Sequence, residues 1–213
     1  MSEGVEEIRG KLAAIRFEGA KCIHSRGCVL GRPDVFVPNV SGAWIHPDAA
    51  TPDELMELAR GCPSGAIQVE RLDGGPAEKA PVVNLVRVRE NGPLALHAEL
   101  SLDGQPVMLR ATLCRCGASK NKPFCDASHN GAGFQASGEP ATTPSEPLAE
   151  RAGPLSVKPT KNGPLLVKGN LEVVSGTGRT VTRTGQCALC RCGHSANKPF
   201  CDGSHTRVGF QAE

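Results

Sequence analysis

The chain has 213 residues, room for one large or two to three small domains, and its net charge of only +2 argues against the strongly basic surface that nucleic-acid binding requires. Aromatic residues make up 3% of it and tyrosine is absent, while 25 glycines, 17 prolines and 10 cysteines stand out. A module of about 60 residues buries only roughly 60% of its unfolded surface, so small modules this poor in large side chains need a disulfide or metal staple.

The opening residues interleave charges and show no apolar signal core. No stretch approaches the roughly 20 apolar residues that span a bilayer. A cytoplasmic location without membrane attachment is therefore expected. There thiols stay reduced, and clustered cysteines read as metal ligands rather than disulfides.

Three blocks follow in chain order. In the first, 1–75, residues 11–18 carry apolar positions at Ala13, Ile15 and Phe17, a strand spacing. A cysteine loop follows, with Cys22, His24, Ser25 and Cys28. Thr51, Pro52 and Glu54 form a helix start, with Thr51 as N-cap and Glu54 at the capping-box position. Gly61 stops that helix and Cys62-Pro63 follows at once. The second block, 80–137, and the third, 153–213, both open on Asn-Gly-Pro-Leu, at Asn91 and Asn162. Each then predicts a β-hairpin, with turns at Asp103-Gly104 and Ser175–Gly178. Both close on Gly-Phe-Gln-Ala, at Gly133 and Gly209. Residues 138–152, rich in Pro, Glu, Ala and Thr, have a linker composition.

Between hairpin and close, each repeat carries the same sixteen-residue loop. Residues 114–129 read CRCGASKNKPFCDASH and residues 190–205 read CRCGHSANKPFCDGSH; thirteen of the sixteen positions are identical. Cys114, Cys116, Cys125 and His129 recur in register as Cys190, Cys192, Cys201 and His205. Three thiolates and a neutral imidazole suit zinc or a diiron cluster. Structural zinc sites usually pair two knuckles, whereas one tight loop suits the four terminal positions of a [2Fe–2S] cluster. The C-x-C pair can bind one metal. The Cys and His, spaced i, i+4, can bind the other from one helical face, with Asp126 or Asp202 capping that helix. Arg115, Lys122, Arg191 and Lys198 either offset cluster charge or form a solvated rim. Cys187 and His194 align with Ala111 and Ala118, so neither is expected to be a ligand. His46 and His97 lack cysteine neighbours.

These loops resemble the CDGSH iron–sulfur domain, whose pattern is C-x-C-x2-[S/T]-x3-P-x-C-D-G-[S/A/T]-H. The third block matches throughout, at Cys190, Cys192, Ser195, Pro199, Cys201, Asp202, Gly203, Ser204 and His205. The second departs only at Ala127, where the family has glycine, and the added methyl leads one to expect a backbone that avoids positive φ. The resemblance implies a [2Fe–2S] cluster held by three Cys and one His in each repeat, and two domains packed as a pseudo-twofold pair inside one monomeric chain. An imidazole ligand raises the reduction potential and makes the cluster acid-labile.

In the first block, Cys22, Cys28 and Cys62-Pro63 take three of the four ligand places of a bacterial ferredoxin, with Ser25 at the missing one. Residues 17–70, through the Cys22–Ser25 phrase, Val35-Phe36, Trp44-Ile45 and Cys62–Ile67, are similar to the divergent single-cluster 4Fe–4S ferredoxin domain. The resemblance carries over the three cysteines; the missing thiolate leads one to expect a [3Fe–4S] cluster, or a [4Fe–4S] cluster whose fourth iron takes Ser25, His24 or solvent. Trp44 and Phe36 are expected in the core. The whole reads as an α+β, β-rich protein: a small ferredoxin-like module and two tandem CDGSH-type domains. Its expected work is one-electron transfer with a reductase or ferredoxin-like partner, without enzymatic chemistry. The alternative is a cluster carrier to apo-proteins, or a redox or iron sensor.

Overall fold

The computed structural model describes residues 4–105 and 107–213. They fall into two compact units, Met1–Lys79 and Ala80–Glu213.

In the first unit, β1 (Val5–Arg9), β2 (Ala13–Glu18) and β3 (Ile67–Arg71) form an antiparallel sheet in the order β1-β2-β3. Ile15 is fully buried and Ala13 nearly so, as the expected strand spacing requires. β1, whose acidic pair at Glu6 and Glu7 hides a half-buried Val5 and Ile8, has no clear sequence signal. Helix α1 spans Gly27–Gly31 and α2 spans Pro52–Gly61. The α2 capping box forms as predicted: Glu54 N–H donates to the Thr51 hydroxyl and Thr51 N–H donates to the Glu54 carboxylate at 2.8 Å. Leu55 and Ala59, one turn apart, face Val35, Phe36 and Ile45 in the core. Trp44 packs edge-on against Phe17 and Phe36, with centroids 5.0 and 5.8 Å away.

In the second unit both repeats share one six-stranded sheet. The first contributes β4 (Leu85–Val88), β5 (Leu94–Leu102) and β6 (Met108–Leu113); the second contributes β7 (Pro154–Pro159), β8 (Leu165–Val174) and β9 (Thr180–Leu189). The antiparallel hairpins β5–β6 and β8–β9 are the predicted ones, and Asp103 and Gly104 take positive φ in the first turn. β4 and β7 cross between repeats. β4 pairs antiparallel with its own β5 and parallel with β8, Leu85 opposite Glu172. β7 pairs antiparallel with β8 and parallel with β5, Leu100 opposite Leu155. Alternate residues Leu94, Leu96, Ala98, Leu100 and Leu102 of β5 are buried, the period of two that a pleated strand imposes. Val157, Leu171 and Val173 of the second repeat join them in one continuous core. The repeats are thus an intrachain pseudo-dimer with interwoven strands, not two separately closed domains. Residues 138–152 are not a free tether either. Thr143 N–H donates to the Val181 carbonyl at 2.9 Å, Arg183 N–H to the Ser145 hydroxyl at 2.9 Å, and Thr177 N–H to the Glu139 carboxylate at 2.9 Å.

Candidate metal centres

Each sixteen-residue loop starts where a strand ends and folds back on it. β6 delivers Cys114 and β9 delivers Cys190. Cys114 N–H donates to the Pro123 carbonyl and Cys125 N–H to the Thr112 carbonyl, both at 2.8 Å; Cys190 to Pro199 and Cys201 to Ala188 repeat the pattern at 2.8 and 2.9 Å. The first and third cysteines of each loop therefore lie on the two sides of one short strand-like pairing, around the Leu113–Phe124 and Leu189–Phe200 bridges. Ser119 holds the intervening turn by donating to the Phe124 carbonyl at 2.7 Å while accepting from Asn121 N–H at 3.0 Å; Ser195 does the same with Phe200 and Asn197.

The donors come in close pairs. Cys114 Sγ and Cys116 Sγ are 3.7 Å apart, and Cys190 Sγ and Cys192 Sγ 3.8 Å. Cys125 Sγ and His129 Nδ1 are 3.4 Å apart, as are Cys201 Sγ and His205 Nδ1. Backbone N–H groups of Ala118, Ala127, His194 and Gly203 point at Cys116, Cys125, Cys192 and Cys201 sulfurs, each at 3.4 Å. Such contacts favour thiolate and tune any cluster it holds.

The Cys/His pairs do not form on a continuous helix. α3 is only Ser128–Gly131 and α4 only Ser204–Arg207, so the cysteines precede them. Ala127 and Gly203, at φ 65° and 83°, are the left-handed residues before each helix. The expectation that Ala127 avoids positive φ is overturned. Asp126 explains why: its carboxylate accepts from Ser128 N–H at 3.0 Å and Lys120 N–H at 2.8 Å, latching the turn from both sides. Asp202 latches Ser204 and Ala196 likewise at 2.9 and 2.8 Å. The aspartates therefore act as latches to the first helical N–H and are not themselves the N-caps. Burial alone would raise the Asp126 carboxyl, but its bonds from Ser128 and Lys120 outweigh that and hold it at about 2. Asp202 is held lower still, by Ser204 first and then by the Ala196 N–H.

Burial pushes the Cys125 thiol up to about 11. In the C-x-C pair, hydrogen bonding to Cys116 and burial raise Cys114 strongly, and the bond from Cys114 lowers Cys116 to about 6. Burial also raises Cys192. Without metal Cys114, Cys125 and Cys192 are largely protonated, so metal uptake releases protons and depends on pH. Burial lowers His129, with Asp126 opposing and Arg115 assisting.

The two loops touch. Gly117 and Gly193 sit at φ 83° and 84°; a Cβ at Gly117 would lie 2.6 Å from the Cys192 carbonyl oxygen, and one at Gly193 would lie 2.5 Å from that of Cys116. Arg115 and Arg191 are fully buried and not a solvated rim. Lys122 and Lys198 are tied to the Ser119 and Ser195 carbonyls at 2.5 Å. Sequence reasoning did not single out the two glycines, although both copies read Cys-Arg-Cys-Gly.

In the first unit, Cys22, Cys28 and Cys62 line a cavity of 590 Å³ walled by Phe17, Ile23, Val29, Trp44, Leu58 and Ile67. Cys28 rides on α1 and Cys62 caps the C-terminus of α2. Burial raises Cys22 and Cys28, and thiolates elsewhere in this trio raise them further. His24, left-handed at φ 53°, places Nδ1 4.0 Å from Cys22 Sγ and donates its N–H to that sulfur at 3.4 Å. Ser25 lines the same cavity. Outside the sites, Cys187 packs against the core of the second unit, its thiol pushed up to about 12 by burial. His46 and His194 are exposed and His97 is half-buried on β5.

Thiols and imidazoles gathered in close pairs define a candidate metal-binding protein. Residues 91–130 and 162–206 match the family described as iron-binding zinc finger CDGSH type, and residues 8–72 match the divergent 4Fe-4S mono-cluster family. The chain is a CDGSH iron–sulfur domain protein, with two repeats fused to an N-terminal divergent 4Fe–4S ferredoxin-like domain. No curated protein matches it. Among the described residues, no helix is long and apolar enough to cross a membrane.

Proposed function

We propose that the chain holds a [2Fe–2S] cluster in each repeat, on Cys114, Cys116, Cys125 and His129 and on Cys190, Cys192, Cys201 and His205, and a [3Fe–4S] or [4Fe–4S] cluster on Cys22, Cys28 and Cys62. With these it passes single electrons between redox partner proteins. The pairing of donors carries this reading. Two thiolates on one tetrahedral metal, each about 2.3 Å from it, lie about 3.7 Å apart, and a thiolate and an imidazole about 3.5 Å apart. The C-x-C and Cys/His separations match these edges. Among the described residues no three His, Cys, Asp or Glu side chains converge on one point. A mononuclear zinc site needs that convergence. A cluster with two irons needs two pairs instead.

When bound, such clusters supply reversible one-electron chemistry. The protein's part is to shield the Cys114 and Cys190 ends, both nearly inaccessible, to aim N–H groups at sulfur, and to leave the His129 and His205 ends half-exposed toward a partner. No side chain is assigned a catalytic role. Ten free thiols suit a reducing compartment such as the cytoplasm. The half-exposed Cys201 and His205 favour a second reading, delivery of a cluster to an apo-protein.

EPR of oxidised and reduced protein tests the assignment. Two [2Fe–2S] signals are expected in the reduced state, and an oxidised-state signal only if the first unit holds [3Fe–4S]. A chain carrying zinc and no sulfide would refute it. Mixing holo-protein with an apo-ferredoxin separates the two roles, because a relay retains its clusters and a carrier gives them up.

A further inference from the structure

The second cysteine of each C-x-C pair lies where the two repeats meet. A Cβ at Gly117 would stand 2.6 Å from the Cys192 carbonyl oxygen, 3.0 Å from its carbonyl carbon and 3.4 Å from its Cα. One at Gly193 would stand 2.5, 2.9 and 3.3 Å from the same atoms of Cys116. A Cβ is only about 1.5 Å from its own Cα, so each glycine Cα lies within about 4 Å of the carbonyl oxygen it faces. That is van der Waals contact between main chains, with no room for a side chain between them.

Each glycine peptide also reaches its own ligand. The N–H after Gly117 belongs to Ala118 and points at the Cys116 sulfur at 3.4 Å; the N–H after Gly193 belongs to His194 and points at the Cys192 sulfur at 3.4 Å. From the Cys116 thiolate a path therefore runs through one N–H contact and the Gly117–Ala118 peptide to the Cys192 carbonyl, then along Cα and Cβ to the Cys192 thiolate. The reciprocal contact supplies the same path from Cys192 through Gly193 to the Cys116 carbonyl. An electron's wavefunction decays more slowly along bonded and touching atoms than across a gap, so such a path couples the two sites. It joins the C-x-C ends and leaves the half-exposed His129 and His205 to meet a partner.

We propose that the two repeats exchange electrons inside the chain, with Cys116–Ala118 and Cys192–His194 as the path. One site gives up a single electron and the other takes it; no bond forms or breaks. The first electron comes from a redox partner protein, so a partner docked at one repeat can fill both. The proposal rests on the cluster reading above.

His205→Cys makes the two sites distinguishable, because a thiolate in place of imidazole lowers the potential of the second. A small amount of flash-generated flavin semiquinone, oxidised to flavin as it gives up one electron, reduces both sites in part. Electrons on the second site then move to the first. The expected result is a first-order optical phase whose rate is the same at every protein concentration. Gly117→Ala and Gly193→Ala, which force the main chains apart, are expected to slow that phase several-fold with both sites filled. Gly104→Ala, left-handed at φ 78° with nothing within 4 Å of the new Cβ, is expected to leave it unchanged. A second readout needs neither electron flow nor the glycine and His205 variants. With both sites reduced, the EPR lines of the parent are expected to be broadened by spin–spin interaction, and to narrow when Cys201→Ser empties the second site. Redistribution at a rate proportional to protein concentration, or lines in the doubly reduced parent as narrow as those of the single-site chain, overturns this proposal alone. An unchanged phase in filled glycine variants overturns the assigned path. A parent chain without iron and sulfide overturns the cluster reading and this proposal with it.

Discussion

Replacing Gly117 by alanine isolates the contact between the two ligand loops. The residue is left-handed at φ 83°, and a left-handed alanine costs about 1–2 kcal/mol. The new Cβ would also lie 2.6 Å from the Cys192 carbonyl oxygen and 3.0 Å from its carbon, an overlap with backbone that cannot rotate away. Overpacking of this kind adds about 1–3 kcal/mol. Gly203 is the control. It has the same φ of 83°, but a Cβ there meets nothing within 4 Å. Alanine regains about 0.4–1 kcal/mol through the unfolded chain, so Gly203→Ala should cost up to about 1.5 kcal/mol and Gly117→Ala about 1–4.5 kcal/mol. Gly193→Ala, 2.5 Å from the Cys116 oxygen, should behave like Gly117→Ala. Parting the loops relieves both clashes at once, so the double alanine variant should cost less than the sum of the two. Urea unfolding of the loaded full-length chain, followed by circular dichroism and by the visible band, measures all four. If Gly117→Ala and Gly203→Ala agree within about 0.5 kcal/mol, the two ligand loops do not abut.

Ala127→Gly should stabilise the first repeat: it removes about 1–2 kcal/mol of left-handed strain and returns about 0.4–1 kcal/mol of unfolded-chain entropy, a net gain readable as a raised urea midpoint. The Asp126 latch, held at about 2 against an unfolded value near 3.9, contributes fully above that unfolded value and is lost as pH falls through about 2. Asp126→Asn should thus destabilise at pH 7, and the difference from the parent should vanish near pH 2. Bleaching of the visible band in milder acid must then come from elsewhere. His129 is lowered by burial, so its neutral form persists below the usual imidazole range and its support is lost only as pH falls through that lowered value. The first-repeat band is expected to bleach below about pH 6.5, and His129→Cys to slow it; an unchanged acid rate would count against imidazole protonation as the trigger. Thr51→Ala removes the α2 cap and should cost about 1 kcal/mol in the first unit, by thermal unfolding.

The close Cys/Cys and Cys/His pairs were legible in the sequence because each set lies within sixteen residues, and one loop closing on a strand end brings its members together. The second copy sharpened this: Cys187 and His194 failed the register comparison, and Cys187 packs against the core while His194 meets the Cys192 sulfur through its backbone N–H. What the sequence hid is long-range or over-determined. The parallel pairing of Leu85 with Glu172 joins residues 87 apart and has no local marker, so neither β4 nor β7 is named from the sequence. Composition marked residues 138–152 as a linker, yet Glu139, Thr143 and Ser145 tie it to β9 and the turn before it. Ala127 broke a local rule because Asp126 on one side and the N–H to Cys125 sulfur on the other fix its turn more strongly than alanine resists it. The buried arginines follow the same logic. Arg115 and Arg191 read as charges offsetting a cluster or as a solvated rim, and their enclosure comes with the return of Phe134 and Phe210 over them, 19 residues along in each copy.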